Sequence, residues 1–179
     1  NILRLPWILR LPLALSISRS RSKNEAGKSY ALLGNKSPLL ENSQAQAEAL
    51  EKILNTNDTE QFKTFVCMRY WHPMAPEVIA QIETYKPDHI VLLPLYPQFS
   101  TTTVRSSFQN FWTAVQENDG DLHAQWDKKI SAICCYPFNE GFIRASVENI
   151  RAIYEQTRTD GHKNIRILFS AHGLPESII

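Results

Sequence analysis

Apolar residues along the chain fall into two alternating rhythms. Across residues 41–55, Ala47, Leu50 and Leu54 recur at helical spacing behind an acidic Glu41 that suits a helix start. The run TFVCM at 64–68 is short, apolar and partly β-branched, which predicts a buried strand. The same pairing repeats three times. Helix 75–85 turns Val78, Ile79, Ile82 and Tyr85 to one side and leads to a strand at 89–95. Helix 104–118 turns Phe108, Phe111, Trp112 and Val115 inward and leads to a strand at 130–135. Helix 139–158 carries Ile143, Val147, Ile150 and Tyr154 inward before a last strand at 165–169. Strands alternating with helices of this length imply parallel pairing through right-handed crossovers. The predicted fold class is therefore α/β: an open, mainly parallel sheet flanked by helices in three Rossmann-like layers. Pro94 conflicts locally with a central strand because proline cannot donate to the ladder, so it belongs near that strand's end.

Upstream of the first helix, Gly34-Asn35 and Ser37-Pro38 read as turn chemistry. The first fifteen residues are apolar but interrupted by Arg4, Pro6, Arg10 and Pro12, too broken for a bilayer span of about 20 residues. They lack a small-residue cleavage site and an initiating Met, so the chain reads as truncated at its front. A basic stretch with Arg19, Arg21, Lys23 and Lys28 follows. Overall, 19 basic residues nearly cancel 18 acidic ones, and the net charge of +1 gives no global field toward nucleic acid; any basic site must be local. Three cysteines, Cys67, Cys134 and Cys135, have neither disulfide-framework nor metal-site spacing. They fit free thiols in a reducing, cytoplasmic compartment, with Cys67 and Cys134 as small apolar strand residues.

In an open parallel sheet, ligands bind beyond the carboxyl ends of the strands. The residues there are Arg69, Tyr70, Trp71 and His72 after the first strand, and Tyr96 to Thr103 after the second. Tyr136, Pro137 and Phe138 follow the third, and Ser170 to Pro175, including His172, follow the fourth. A rim both aromatic and polar suits a large, flat, conjugated ligand with a few acidic groups. No glycine-rich phosphate loop follows any strand, which argues against a nucleotide. His72, next to Pro73, reads equally as a hydrogen-bonded structural residue or a site residue. Gly173 and Pro175 around His172 imply a tight turn presenting the imidazole to the rim, which favours function. The run at 100–103 equally suits a helix cap, and Tyr136 reads as a core residue whose hydroxyl reaches the surface.

These segments resemble the ferrochelatases. The likeness lies in SPL at 37–39, MRYWHP at 68–73, LPLYPQFSTTT at 93–103 and FSAHGLPE at 169–176, four ordered motifs at matching intervals. It covers essentially the whole chain and is to the bacterial, cytoplasmic branch. The resemblance implies a chelatase-like fold, with residues 1–179 an incomplete first chelatase domain. Residues 1–29 would form an apolar lip and basic segment, and 30–179 an α/β core ending at the His172 motif. It implies insertion of ferrous iron into protoporphyrin IX in haem biosynthesis by a lyase-class enzyme, with iron as substrate and no permanently bound cofactor. His172 matches the histidine taken to bind the metal or accept pyrrole protons. Arg69 and Tyr70 match a pair on the opposite face of the macrocycle. Tyr96 with Ser100, Thr101 and Thr102 matches the pocket wall, and Ser37 a serine near the propionates. His72 stands among the substrate-binding residues. The basic stretch lies where the family places propionate-binding cations, and reads equally as a solvated helix face. Residues 2–15 resemble a pocket lip that makes peripheral contact with a membrane.

The chain departs from the family pattern in two places. Gly34, Asn35 and Lys36 stand where a richer glycine turn is usual, and Val104-Arg105 precede Ser106-Ser107 where a glycine is usual. A positive φ at Arg105 would strain it. Relative to the family, the first strand with its loop and the second domain are expected to be missing. The acidic partner of His172 would then lie outside the chain, with Glu176 too close in sequence to replace it. The chain alone is expected to be marginally stable and inactive. Three rival readings stay open: a cobalt chelatase acting on another tetrapyrrole, a non-catalytic porphyrin-binding module, and a hydrolase using Ser170 or Cys135.

Overall fold

The computed structural model describes residues 7–24, 30–31, 34–57, 59–118, 126–174 and 176. The chain divides into two units, Asn1–Lys86 and Pro87–Ile179. Among the described residues the first unit holds three helices, α1 (Trp7–Asn24), α2 (Leu39–Leu54) and α3 (Ala75–Tyr85). The second runs β1 (Ile90–Leu92), α4 (Val104–Asn118), β2 (Ile130–Ala132) and α5 (Glu140–Thr159). The mixture of helices with a parallel ladder agrees with the open α/β class.

In the first unit α1 replaces the expected interruption. Pro12 lies inside the helix, where it removes one backbone donor, and its leucine-rich flanks carry the helix through. Ile8, Leu9, Leu11, Leu13, Leu15 and Ile17 are all exposed. Among the described residues no helix is long and apolar enough to cross a membrane. The core of this unit comes from α3, where Ala75, Val78, Ile79 and Ile82 are buried on the face the spacing predicted. Tyr85 at its end meets Phe65 edge-on, with ring centroids 5.9 Å apart. Lys86 closes the helix in the left-handed region at φ 56°.

Among the described residues the predicted strand at 64–68 makes no ladder. Two of its backbone donors go to groups outside any ladder. The Thr64 N–H donates to Glu51 Oε2 at 2.7 Å, and the Met68 N–H to the Pro73 carbonyl at 2.8 Å. Just before it, the Phe62 N–H donates to Asn55 Oδ1 at 2.8 Å. Glu51 thereby fastens the segment to α2. Its carboxylate also accepts from the Thr64 hydroxyl at 2.8 Å and from Lys63 Nζ at 3.1 Å. The Thr64 N–H first, then the Thr64 hydroxyl and Lys63, hold the Glu51 carboxyl down from 4.5 to about 2.

The second unit contains one complete strand–helix–strand crossover. β1 and β2 pair in parallel, Ile90 opposite Ile130, Val91 opposite Ser131 and Leu92 opposite Ala132. Parallel neighbours need a long connection, and α4 supplies it. Val104, Phe111, Ala114 and Val115 of α4 are buried with Ile90 and Trp126. Both strands are shorter than predicted: β1 stops two residues before Pro94, which has no N–H to continue the ladder. The last predicted strand, 165–169, pairs with nothing among the described residues and leaves Leu168 90% and Phe169 85% exposed. The face of α5 expected to turn inward is correspondingly open, with Ile143 and Val147 exposed. Cys67, Cys134 and Cys135 are free and exposed, and neither Cys67 nor Cys134 lies in a strand, contrary to the expectation for both: the first run makes no ladder and β2 stops at Ala132.

Two outcomes follow from this packing. Ile79→Ala should lower stability by about 2–4 kcal/mol, because a fully buried side chain leaves a cavity the helix face cannot close. A shift in the urea midpoint at unchanged slope checks it. Glu51→Gln should cost about 1 kcal/mol at neutral pH, a low figure because the carboxylate keeps some contact with water. The depressed folded value means this contribution is complete above about 4.5 and disappears as pH falls toward 2. The stability gap between the two proteins should therefore close over that acid window.

Candidate functional site

In the first unit the MRYWHP segment forms a closed loop. Besides the Met68 N–H to Pro73 carbonyl bond, Met68 and Met74 form an isolated bridge across its base. Within it the Arg69 guanidinium lies over the Tyr70 ring, 4.7 Å from the centroid, and Trp71 meets His72 edge-on at 5.9 Å. Tyr70 and Trp71 are 66% and 65% exposed, so the loop displays its aromatic faces. His72 is committed elsewhere: its Nδ1 lies 2.6 Å from Glu77 Oε1. Glu77 Oε2 in turn accepts the Met74 N–H at 3.4 Å, at the start of α3. One carboxylate thus joins the loop to the helix that follows, and the hydrogen-bonded reading of His72 describes its position. Glu77 went unnoticed in the sequence. Its signal was an acidic residue three positions after the residue preceding a helix.

Ser37 sits before α2, and its Oγ accepts the Leu39 N–H at 3.3 Å. Lys36 and Glu41 form an ion pair beside it.

In the second unit Tyr96 is exposed on the tail of β1, between two carbonyls that Tyr136 holds. The Tyr136 hydroxyl donates to the Pro94 carbonyl at 2.8 Å and its N–H to the Pro97 carbonyl, also at 2.8 Å. The Tyr136 ring meets Phe142 of α5 edge-on at 6.1 Å. Desolvation raises the Tyr136 phenol above its ordinary value, which keeps it protonated as a donor. Ser100 starts α4: its Oγ accepts the Thr102 N–H at 3.2 Å and lies 3.0 Å from Thr102 Oγ1. Its carbonyl takes the Thr103 and Arg105 N–H groups at 3.3 and 3.2 Å. The hydroxyl run therefore builds the helix start, with Thr101 exposed on it. Arg105 lies inside α4, and among the described residues only Asn35 and Lys86 are non-glycine residues with positive φ, so the anticipated strain is not there.

His172 stands in irregular, exposed chain, and the described residues 170–174 form no turn around it. Gly173 has open space where a Cβ would stand, and Pro175 lies outside the described residues. Among the described residues no hydrogen bond or ring contact joins His172 to Tyr96 or Ser100. The structure thus gathers Arg69, Tyr70 and His72 in one loop, and Tyr96, Ser100, Thr101 and Thr102 in one strand tail. Among the described residues two strand tails, not four, are joined, because β1 and β2 are the strands that pair there. Two concavities among the described residues, of 460 and 330 Å³, are lined respectively by Asn55, Asn57, Thr59, Glu60 and Gln61 and by α5 residues with Ile167. Neither includes a predicted site residue. Of the basic stretch, Arg21, Lys23 and Lys28 have no described side chains, and of residues 2–15 only 8–15 do.

A parallel crossover with aromatic and hydroxyl-bearing residues on its strand tails defines an open-sheet α/β protein. The ferrochelatase family model matches residues 1–179, and the chain belongs to that family. It is 42% identical over 99% of its length to a ferrochelatase of Phenylobacterium zucineum. It is 45% identical over all of its length to one from a Wolbachia of Drosophila simulans, and 46% over 99% to one from Rickettsia felis. The chain spans about half the length of the curated relatives it matches, 49%, 54% and 48% in these three.

Glu77→Ala should release both the His72 ring and the Met74 N–H. The expected loss is about 1 kcal/mol of stability, with the Trp71 fluorescence maximum moving as the loop loosens. An unchanged emission spectrum together with an unchanged urea midpoint would show that the pair does not hold the loop.

Proposed function

We propose that this chain is the part of a ferrochelatase that carries the histidine motif, and that the whole protein inserts ferrous iron into protoporphyrin IX to form protohaem. The family match over all 179 residues is the observation that carries this reading. In the reaction two pyrrole N–H protons leave as one Fe(II) enters, so the macrocycle exchanges two protons for a dication. Iron is a substrate here, not a resident cofactor.

The chemistry needs two things of the protein. A planar macrocycle hides its nitrogens, so binding energy gained elsewhere must bend it; exposed Tyr70, Trp71 and Tyr96 supply aromatic area for that purpose. Arg69 and the Ser37, Ser100, Thr101 and Thr102 hydroxyls offer donors to propionates, with His72 fixing the Arg69–Tyr70 loop through Glu77. The His172 imidazole then receives a pyrrole proton or passes the metal inward, since a ring nitrogen can take up either a proton or a metal ion.

Residues 2–15 are assigned peripheral contact with a membrane, on the inner side of which the protein would act from the cytoplasm. The exposed leucines and isoleucines of α1 support this. Because the chain spans about half of its relatives, residues 1–179 alone are expected to turn over far below the whole protein.

The test is porphyrin metallation followed by absorbance, with anaerobic ferrous iron or with zinc, in the whole protein. His172→Ala should lower the rate by about 10²-fold or more, the scale of a lost general base, while porphyrin still binds. Unchanged insertion in that variant would remove the mechanism.

A further inference from the structure

The tail of β1 reads LPLYPQ at 93–98, with a proline on either side of Leu95 and Tyr96. Neither proline has an N–H to donate, and each restricts the residue before it to extended backbone. Tyr96 precedes Pro97 and is restricted in this way, while its side of the tail stands 46% exposed.

The donors that fasten this tail come from the tail of β2. The Ile133 N–H donates to the Leu92 carbonyl at 3.0 Å, and bonds along a parallel strand recur at every second residue, so Pro94 offers the next carbonyl in line. The Tyr136 hydroxyl fills that place at 2.8 Å, and the Tyr136 N–H takes the Pro97 carbonyl at 2.8 Å. One residue thus grips the chain at two points, with Leu95 and Tyr96 between them. Tyr136 is itself held, half-buried and edge-on to Phe142 at 6.1 Å.

We infer that Tyr136 is a positioning residue for the macrocycle site, fixing the backbone from Pro94 to Pro97 so that Tyr96 meets the tetrapyrrole already ordered. The inference rests on the ferrochelatase reading given above. A contact surface ordered in advance binds more tightly than one that must be ordered by its ligand. Both donors of Tyr136 end on backbone carbonyls, so it acts through the tail it holds. In that reading the pyrrole protons are handled at His172, and the effect of Tyr136 therefore falls on KM more than on kcat.

The test titrates the whole protein with protoporphyrin IX, follows quenching of protein fluorescence, and measures zinc insertion by absorbance. Tyr136→Phe keeps the ring against Phe142 and removes only the hydroxyl. It should raise the porphyrin KM by roughly fivefold, the scale of one lost hydrogen bond, with kcat changed by less than about twofold. In a Tyr96→Ala background the same substitution should add nothing, because the residue it serves is gone. Phe142→Leu loosens the ring's packing but keeps both hydrogen bonds, and should leave the KM within about twofold of wild type, which separates positioning from general loss of stability. In the wild type without porphyrin, the Tyr136 amide should already be slow to exchange its hydrogen; an amide that becomes slow only when porphyrin binds would show that the ligand orders the tail. That result would overturn the inference, as would an unchanged KM in Tyr136→Phe, an equal rise in the Tyr96→Ala background or the same rise in Phe142→Leu, and each leaves the functional reading standing. A whole wild-type protein that neither binds nor metallates the porphyrin sinks that reading and the inference with it.

Discussion

A peptide group withdrawn from water must find a hydrogen-bond partner, and the second unit meets that requirement with two devices in succession. Over three residues β1 and β2 satisfy each other as a parallel ladder. At Pro94 the ladder runs out of donors, and Tyr136 takes over with its phenol and its own N–H, holding the carbonyls of Pro94 and Pro97. The strand tail that carries Tyr96 is therefore shaped by a tyrosine from the neighbouring tail. A proline unsuited to a strand becomes useful there, because its free carbonyl is what the tyrosine grips.

The first unit answers the same requirement with side chains. Asn55, Glu51 and Glu77 take up backbone N–H groups at Phe62, Thr64 and Met74. These polar residues lie on or beside the helices, and each fastens a connecting segment to one. Glu77 links packing to chemistry most directly, since the same carboxylate meets the N-terminus of α3 and orients His72 within the loop that displays Arg69 and Tyr70. A histidine in a family motif is thus a fixture of its loop, and the groups facing outward are the aromatic rings beside it.

Helices were the legible part of this chain. The spacing of Val78, Ile79 and Ile82, and of Phe111 and Val115, identified both the elements and their buried faces, because helical hydrogen bonds close within the segment and the apolar stripe alone records which side is covered. Strands were legible only as candidates. The runs at 64–68 and 165–169 have the composition of buried strands, yet neither has a ladder partner among the described residues. The candidate site divides in the same way. Motif residues were named from their order in the chain, while Glu77 and the grip of Tyr136 on Pro94 emerged only from coordinates, as both depend on contacts across 5 and 42 positions.

The sequence by itself determined the family, the helices and the residue types that could meet a flat, acidic ligand, since these are properties of local spacing and ordered motifs. The tertiary structure decided which strands pair and which carbonyls Tyr136 holds. Those outcomes depend on partners far away in the chain, and a hydrogen bond between distant residues leaves no period in the sequence that makes it.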